Sequence, residues 1–340
     1  MGIIKEMNNF RKGIMEEKLP FERIQREILV KKEEQGIFGK YPEERTIEEL
    51  IHYGIININK SAGPTSHQVA EYVKRILKIK VSGHSGTLDP NVSGCLPVAL
   101  DKATRITQFL LTAGKEYICL MHIHKDIPPS KIHKTAKEFV GKIKQLPPIK
   151  SAIKRQLRER EIYYITILET QGRDVLFKIG CQAGFYIRKF CFDFGIKLGT
   201  KAHMAQLIRT KAGPFTDKDW YSLQDLKDAY EFYKQGDPSY LKKIILPIEA
   251  AVTHLPFIWI SDSAIPSLTH GRSLAIPGII KFHTQIKKDD IIAMLSLKNE
   301  LVAIGSSLVS SEEIKRKDNG LAVKTQKVFM NLENKIDSFL

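Results

Sequence analysis

The sequence predicts an α+β fold followed by a small β-barrel. Three observations carry this. Between about residue 51 and residue 252, two-residue strand alternation and helical spacing intermix. From Thr253 onward, short strands alternate with turns over about 80 residues, the pattern of a small barrel. The chain has 340 residues, 43% of them hydrophobic. That length favours two domains, and that composition is enough for sizeable cores.

Residues 1–50 are charged and weakly periodic, with mixed-sign runs such as Lys31-Lys32-Glu33-Glu34. They read as an extension packed on the C-terminal domain. Gly54-Ile55-Ile56-Asn57-Ile58-Asn59 alternates like a strand. Thr65 and Gln68 have capping-box spacing, and Val69, Val73, Ile76 and Leu77 supply one helix face. Residues 82–97 read as a long Gly-, Ser- and Pro-rich loop, and loops of that length between regular elements are usually functional. Lys134 to Leu146 reads as a helix ending at Pro147-Pro148. Arg160 to Glu169 is strand-like. Val175, Phe177, Ile179 and Cys181 form one face of a strand, which Gly184 ends. Ile187, Phe190, Cys191 and Phe194 then recur at helical spacing, which puts Arg188 in a first helical turn. Further strands are expected at Phe257 to Ile260, Leu274 to Pro277, Asp290 to Leu297, Leu301 to Ser306 and Leu321 to Val328.

Charge and composition narrow the class. Fifty-three Lys and Arg face 38 Asp and Glu, a formal charge of +15. The excess points to a polyanion, with nucleic acid ahead of a membrane surface. No uncharged apolar run approaches the ~20 residues that span a bilayer. The N-terminus lacks the apolar segment of a secretory signal. Cys95, Cys119, Cys181 and Cys191 form no CxxC pair, which argues against a zinc ribbon or disulfide scaffold and for a reducing, cytosol-like compartment.

The common cofactor motifs fail. Gly114-Lys115 lacks the upstream glycine and following Ser/Thr of a phosphate loop, and no GxGxxG follows a strand. His122 and His124 share a strand face, but no nearby Cys or carboxylate pair completes a metal site. The chemistry falls to ordinary side chains, and no metal or cofactor is expected. In the 82–97 loop one carboxylate, Asp89, stands before a proline that keeps it out of the α region. Such a group can be a nucleophile or a base. It can equally bond a neighbouring N–H in a turn, and on local grounds that plainer role is favoured.

The arrangement of the segment changes that balance. Gly83-His84-Ser85-Gly86-Thr87-Leu88-Asp89-Pro90 with Gly94-Cys95-Leu96-Pro97 resembles the catalytic loop of the TruB family of pseudouridine synthases. Lys60-Ser61-Ala62-Gly63-Pro64-Thr65-Ser66-His67, Gly114-Lys115-Glu116-Tyr117, Ala183-Gly184-Phe185-Tyr186-Ile187-Arg188, and Ala202 to Thr210 with Gly213-Pro214-Phe215 resemble the family's other motifs, in its order. Asp262-Ser263-Ala264, Thr269-His270-Gly271, Ile276-Pro277-Gly278-Ile279 and Gly320-Leu321-Ala322-Val323 resemble a PUA domain. With the N-terminal extension, the resemblance is to the archaeal dyskerin-like branch and covers roughly residues 19–330. Ser61 stands where the family usually has proline, and His124-Lys125-Asp126 departs from a usual small-acidic pattern.

The resemblance implies a mixed, largely antiparallel sheet with flanking helices over 51–252 and a PUA barrel over 253–332. It implies isomerisation of uridine to pseudouridine in rRNA or tRNA without metal or redox cofactor, with Asp89 as catalytic nucleophile. Arg188 pairs with Asp89 in that reading. Tyr117 stacks on the base, His84 holds the extruded base, and Tyr186, Leu207 and Lys60 line the pocket. Lys150, Lys154 and Arg155 begin a basic run that fits a phosphate track. The implied partners are an H/ACA guide RNA, the substrate RNA and three small proteins: a zinc-ribbon-type scaffold, a glycine/arginine-rich-type β-barrel protein and a kink-turn binder. A guide-independent enzyme acting on the tRNA T-loop, and a non-catalytic RNA scaffold, are the alternative readings. The expected location is the cytoplasm.

Overall fold

Two sheets organise the computed structural model, which describes residues 17–147 and 156–330. After β1 (Ile28–Val30) the first sheet contains β2 (Gly54–Lys60), β3 (Ser82–His84), β4 (Ser93–Leu100), β5 (Lys115–Ile123), β6 (Gly141–Gln145), β7 (Arg158–Gln171), β8 (Asp174–Cys181), β9 (Ala202–Ala212), β10 (Phe215–Thr216) and β11 (Leu246–Pro247). Its spatial order is β11-β2-β4-β9-β5-β8-β7-β6, with β3 on β4 and β10 on β9. Every pairing is antiparallel except β4 with β9. The second sheet is built from β12 (Phe257–Ile260), β13 (Leu274–Ala275), β14 (Ile279–His283), β15 (Ile291–Leu295), β16 (Leu301–Ser307) and β17 (Leu321–Val328), with β1 at its edge against β14.

Side-chain periodicity explains the layers. Helix Ser66–Leu77 buries Val69, Ala70, Val73 and Leu77, and Thr65 closes its start with reciprocal bonds to Gln68. These side chains pack with Ile56, Ile58, Leu96 and Val98 of the sheet. The helices Leu223–Lys234 and Ser239–Ile244 complete that layer through Leu226, Ala229 and Leu241. A second cluster joins Phe190, Cys191 and Phe194 of helix Ile187–Lys197 to Cys119, Phe177 and Ile179 of the sheet. Leu88 and Val92, on either side of Asp89, are buried in this same cluster. Burying a side chain of that size contributes about 1.5–3 kcal/mol, so the segment that carries Asp89 is anchored on both flanks.

Three expectations are corrected. The helix over 134–146 is helix Pro129–Glu138 followed by β6. Gly141 takes φ +105, which breaks the helix, and Ile143 and Gln145 then turn inward while Lys142 and Lys144 face out. The loop over 82–97 is shorter than expected, because Ser93–Leu100 is a central strand between β2 and β3 and only residues 85–92 are irregular. The strand over 274–277 stops after two residues at the turn Ile276–Gly278, and β14 follows it.

The N-terminal residues divide between both sheets. β1 extends the second sheet, Asp262 accepts the amides of Ile37 and Phe38, and Glu300 accepts that of Lys40. Helix Ile47–Tyr53, however, places Ile47, Leu50 and Ile51 in the core of the first sheet. Its apolar spacing within a charged stretch is the reason. Glu22 binds Lys211 at 2.9 Å, which ties residue 22 to β9. Arg45 grips Glu249 with two bonds, 2.6 and 2.8 Å, beside Glu300 at 3.7 Å, joining the two halves.

His254 sits at the junction, 8% exposed, edge-on to Phe21. Burial pushes its imidazole down to about 4 from the ordinary 6.5. The unfolded chain therefore binds the extra proton between those two values, and stability falls as the pH drops from 6.5 toward 4. At pH 5 the expected loss from this group is about 2 kcal/mol. Urea titrations of wild type and His254→Gln at pH 7 and pH 5 check this. Equal losses in both proteins would clear His254 of the effect.

Candidate active site

The parallel contact of β4 with β9 builds the floor of the site. Only Ser93 and Gly94 pair there, opposite Ile208 and Arg209. A Cβ on Gly94, whose φ is +109, would stand 2.2 Å from the Arg209 carbonyl oxygen, so only glycine allows the two backbones this close. On the other side of β9, Arg209 is opposite Tyr117 of β5. One sheet row thus brings the start of β4, Arg209 and Tyr117 together.

The segment carrying Asp89 is pinned from below. The Ser66 hydroxyl accepts the Leu88 amide at 2.8 Å and donates to the Leu88 carbonyl at 3.1 Å. Val92 N–H closes a turn onto the Asp89 carbonyl at 3.0 Å. The Lys60 ammonium is fully buried and donates to the carbonyls of Ser61, Pro90 and Val92 at 2.9, 2.9 and 2.8 Å. All three of its donors are engaged, so Lys60 lies behind the loop and holds it, rather than facing a substrate as the pocket expectation had it. Burial lowers its pKa, and the nearby Asp89 charge opposes that shift. Ser61 supplies the carbonyl that proline would supply equally, so the family departure there leaves this bond intact.

The open side holds the charged pair. Arg188 donates to Asp89 Oδ2 at 2.6 Å, with the two side chains 59% and 52% exposed. An ion pair so exposed adds at most about 1 kcal/mol to stability. It leaves a positioned carboxylate beside a cation, both open to a ligand. Arg188 is the second residue of its helix, and Tyr186 is the cap. Gln145, 2% exposed, bonds both Tyr186 backbone groups, its side-chain oxygen accepting the amide at 3.0 Å and its nitrogen donating to the carbonyl at 3.2 Å.

Tyr117 is half-buried on β5, and burial raises its phenol while the Arg209 charge works the other way. The hydroxyl stays protonated at neutral pH. His84 ends β3, with Nδ1 facing the Gly86 amide at 3.4 Å, and burial with the Arg209 charge lowers its pKa and keeps it neutral. Leu207 is 8% exposed and packs in the cluster that holds Leu88 and Val92. Asp89, Arg188, Tyr117, His84 and Leu207 therefore gather around one loop, with Tyr186 at the adjoining helix start. Lys150, Lys154 and Arg155 lie outside the described residues.

Gln145 and Arg209 carry structural work that the motifs alone did not assign. Arg209 is two residues from Leu207 on an alternating strand, which places both on one face, and that spacing was the available signal. No group of His, Cys, Asp or Glu among the described residues is arranged to hold a metal ion. No helix among them is long and apolar enough to cross a membrane.

Comparison with known proteins gives this geometry its family. A probable tRNA pseudouridine synthase B of Pyrococcus horikoshii is 52% identical over 312 residues, 90% of this chain and 93% of the relative. That of Methanopyrus kandleri is 48% identical over 94% of this chain and 95% of its own. The chain belongs to the TruB family of pseudouridine synthases. The family profiles divide this TruB-family chain into a DKCLD domain at 16–70, the TruB N-terminal domain at 74–187, a tRNA pseudouridylate synthase B C-terminal domain at 188–253 and a PUA domain at 256–329. Among solved structures, a Cbf5-Nop10-Gar1 complex matches at 51% identity and TM-score 0.88, covering 92% of this chain and 96% of that one. An H/ACA RNP bound to a substrate RNA containing 2'-deoxyuridine matches at 48% identity and TM-score 0.86, covering 93% and 98%. This TruB-family synthase is thus an RNA isomerase with a PUA domain.

Proposed function

We propose that this chain is the guide-RNA-directed synthase of an H/ACA-type particle, acting in the cytoplasm on rRNA or tRNA uridines, with Asp89 as its nucleophile. The observation that carries the chemistry is the exposed Asp89–Arg188 pair on a loop pinned from below. A uridine must leave its stack to reach such a carboxylate. The Asp89 carboxylate opens the bond between uracil N1 and ribose C1′. The base turns, C1′ joins C5, and the C5 proton leaves as N1 takes one up. No electrons are exchanged with a cofactor. Tyr117, protonated, stacks on the base; neutral His84 and the Tyr186 ring flank it. Leu207 backs the pocket wall, and Lys60 fixes the loop.

The guide reading rests on the whole-chain match to an H/ACA RNP and on the N-terminal strand that completes the PUA sheet. The three small proteins named by the resemblance are the proposed companions. The test is tritium release from RNA labelled at uridine C5, with and without guide RNA and the companion proteins. Release from an rRNA target only when the guide is present supports the reading. Equal release from a tRNA T-loop with no guide establishes the stand-alone enzyme instead.

The basic run at Lys150, Lys154 and Arg155 is proposed to track phosphates. Charge reversal at Lys154 and Arg155 together is expected to weaken RNA binding for every sequence. It is also expected to flatten log affinity against log salt by about 0.7–0.9 per lost contact, since each neutralised phosphate frees a condensed counterion. An unchanged slope in filter-binding titrations would sink the track.

A further inference from the structure

We propose that Arg209 is a positioning residue for the reaction, the clasp that sets Tyr117 against the loop of Asp89. The inference rests on the reading of Tyr117 and Asp89 given above and adds the residue that couples them. Arg209 is 1% exposed. Its Nε donates to the Cys95 carbonyl at 2.7 Å, and a terminal nitrogen donates to the Gly86 carbonyl at 3.2 Å. Gly86 lies three residues before Asp89 and Cys95 six residues after it. One guanidinium therefore ties both ends of the Asp89 segment. Arg209 also stands directly opposite Tyr117 in the pairing of β9 with β5, and its charge opposes the burial that raises the Tyr117 phenol.

The chemistry of the group supports a role beyond packing. Among the described residues Arg209 makes no ion pair, and burying a cation without a carboxylate is unfavourable unless its donors are well placed. A guanidinium offers a rigid planar fork that can hold two carbonyls on different segments at once, here those of Gly86 and Cys95. Lysine keeps the charge but has no fork. If the fork sets the distance between the Tyr117 ring and the Asp89 carboxylate, its loss slows the chemical step and leaves RNA binding alone, because none of its donors faces solvent.

The experiment uses the full chain with guide RNA and companions and measures single-turnover tritium release, RNA affinity and melting temperature. Arg209→Lys is expected to slow the chemical step about 100-fold, with KM and RNA affinity within threefold. A merely structural arginine would lower stability and move rate and affinity together. Arg209→Gln, which retains donors without charge, serves as a second variant should the lysine protein fold poorly. A double-mutant cycle with Tyr117→Phe reads the coupling directly. In the Tyr117→Phe background the Arg209 substitution is expected to cost less than threefold. A wild-type rate in folded Arg209→Lys overturns the proposal, and so does the same fold-loss with and without the Tyr117 hydroxyl. Tyr117→Phe at full wild-type rate removes Tyr117's hydroxyl as the object of the clasp and overturns it as well. A chain that releases no tritium under any condition instead overturns the functional reading while RNA affinity is retained, and with it the clasp.

Discussion

Asp89→Asn is expected to reduce single-turnover tritium release to below a few per cent of wild type while guide-RNA affinity stays within about threefold. The substitution preserves shape and leaves Arg188 an oxygen to donate to, but it removes the charge and the nucleophile. Stability is not expected to follow activity. The Asp89–Arg188 pair is more than half exposed, and such pairs are worth at most about 1 kcal/mol. The anchors of the segment are elsewhere: the Leu88 and Val92 side chains, the Ser66 hydroxyl and the Lys60 ammonium. The melting temperature should therefore stay near that of wild type, and the loss should appear only in the chemical step. Residual release above a few per cent, in fresh protein free of deamidated material, would take Asp89 out of the nucleophile role.

Most of this site was legible in the sequence because its residues lie in short, ordered motifs. Asp89, Tyr117 and Arg188 each occupy a segment whose neighbours are diagnostic, and the geometry places Arg188 on Asp89. The position of Lys60 was not legible. A lysine at a strand end ordinarily reaches solvent, and only the return of Pro90 and Val92 over β2 adds two carbonyls to that of Ser61 and so engages all three donors of its ammonium. Gln145 was hidden for a different reason. Its segment carries helix-forming Lys and Gln residues, and the positive φ of Gly141 overrides that local preference. At 93–100 composition misled: Gly94 and Pro97 look like loop residues, yet both lie in a buried strand. Gly94 is required by the close backbone of Arg209, and the Pro97 carbonyl receives the Ser85 amide at 3.0 Å. The second sheet was read through its short strands, but β14 was obscured by Pro277 and Gly278, which end one strand and leave room for the next.

Gly94→Ala is expected to lower stability more than any other single methyl addition near the site. Two effects add. The residue holds φ +109, a region that side chains strongly disfavour, and that strain is of order 1–3 kcal/mol. The new Cβ would also stand 2.2 Å from the Arg209 carbonyl oxygen and 2.7 Å from its amide nitrogen, both backbone atoms of a paired strand. Neither can swing aside as a flexible side chain could. β4 and β9 must separate, at the only two residues where they pair, and overpacking of this kind adds roughly 1–3 kcal/mol. The sum is about 4 kcal/mol, a large share of the 5–15 kcal/mol that holds a typical domain together. It corresponds to a fall in melting temperature on the order of 10 °C. Gly63→Ala separates the two effects. Gly63 has φ +116, and nothing lies within 4 Å of where its Cβ would sit, so it suffers the backbone strain without the collision. Calorimetry of both variants should show Gly94→Ala melting clearly below Gly63→Ala. Because the separation of β4 from β9 also displaces the start of the strand that follows Asp89, Gly94→Ala should lose activity even well below its melting temperature, whereas Gly63→Ala should keep most of it. Equal melting temperatures for the two variants would mean that the strands part without cost, and that the close pairing of Gly94 with Arg209 is not what fixes the floor of the site.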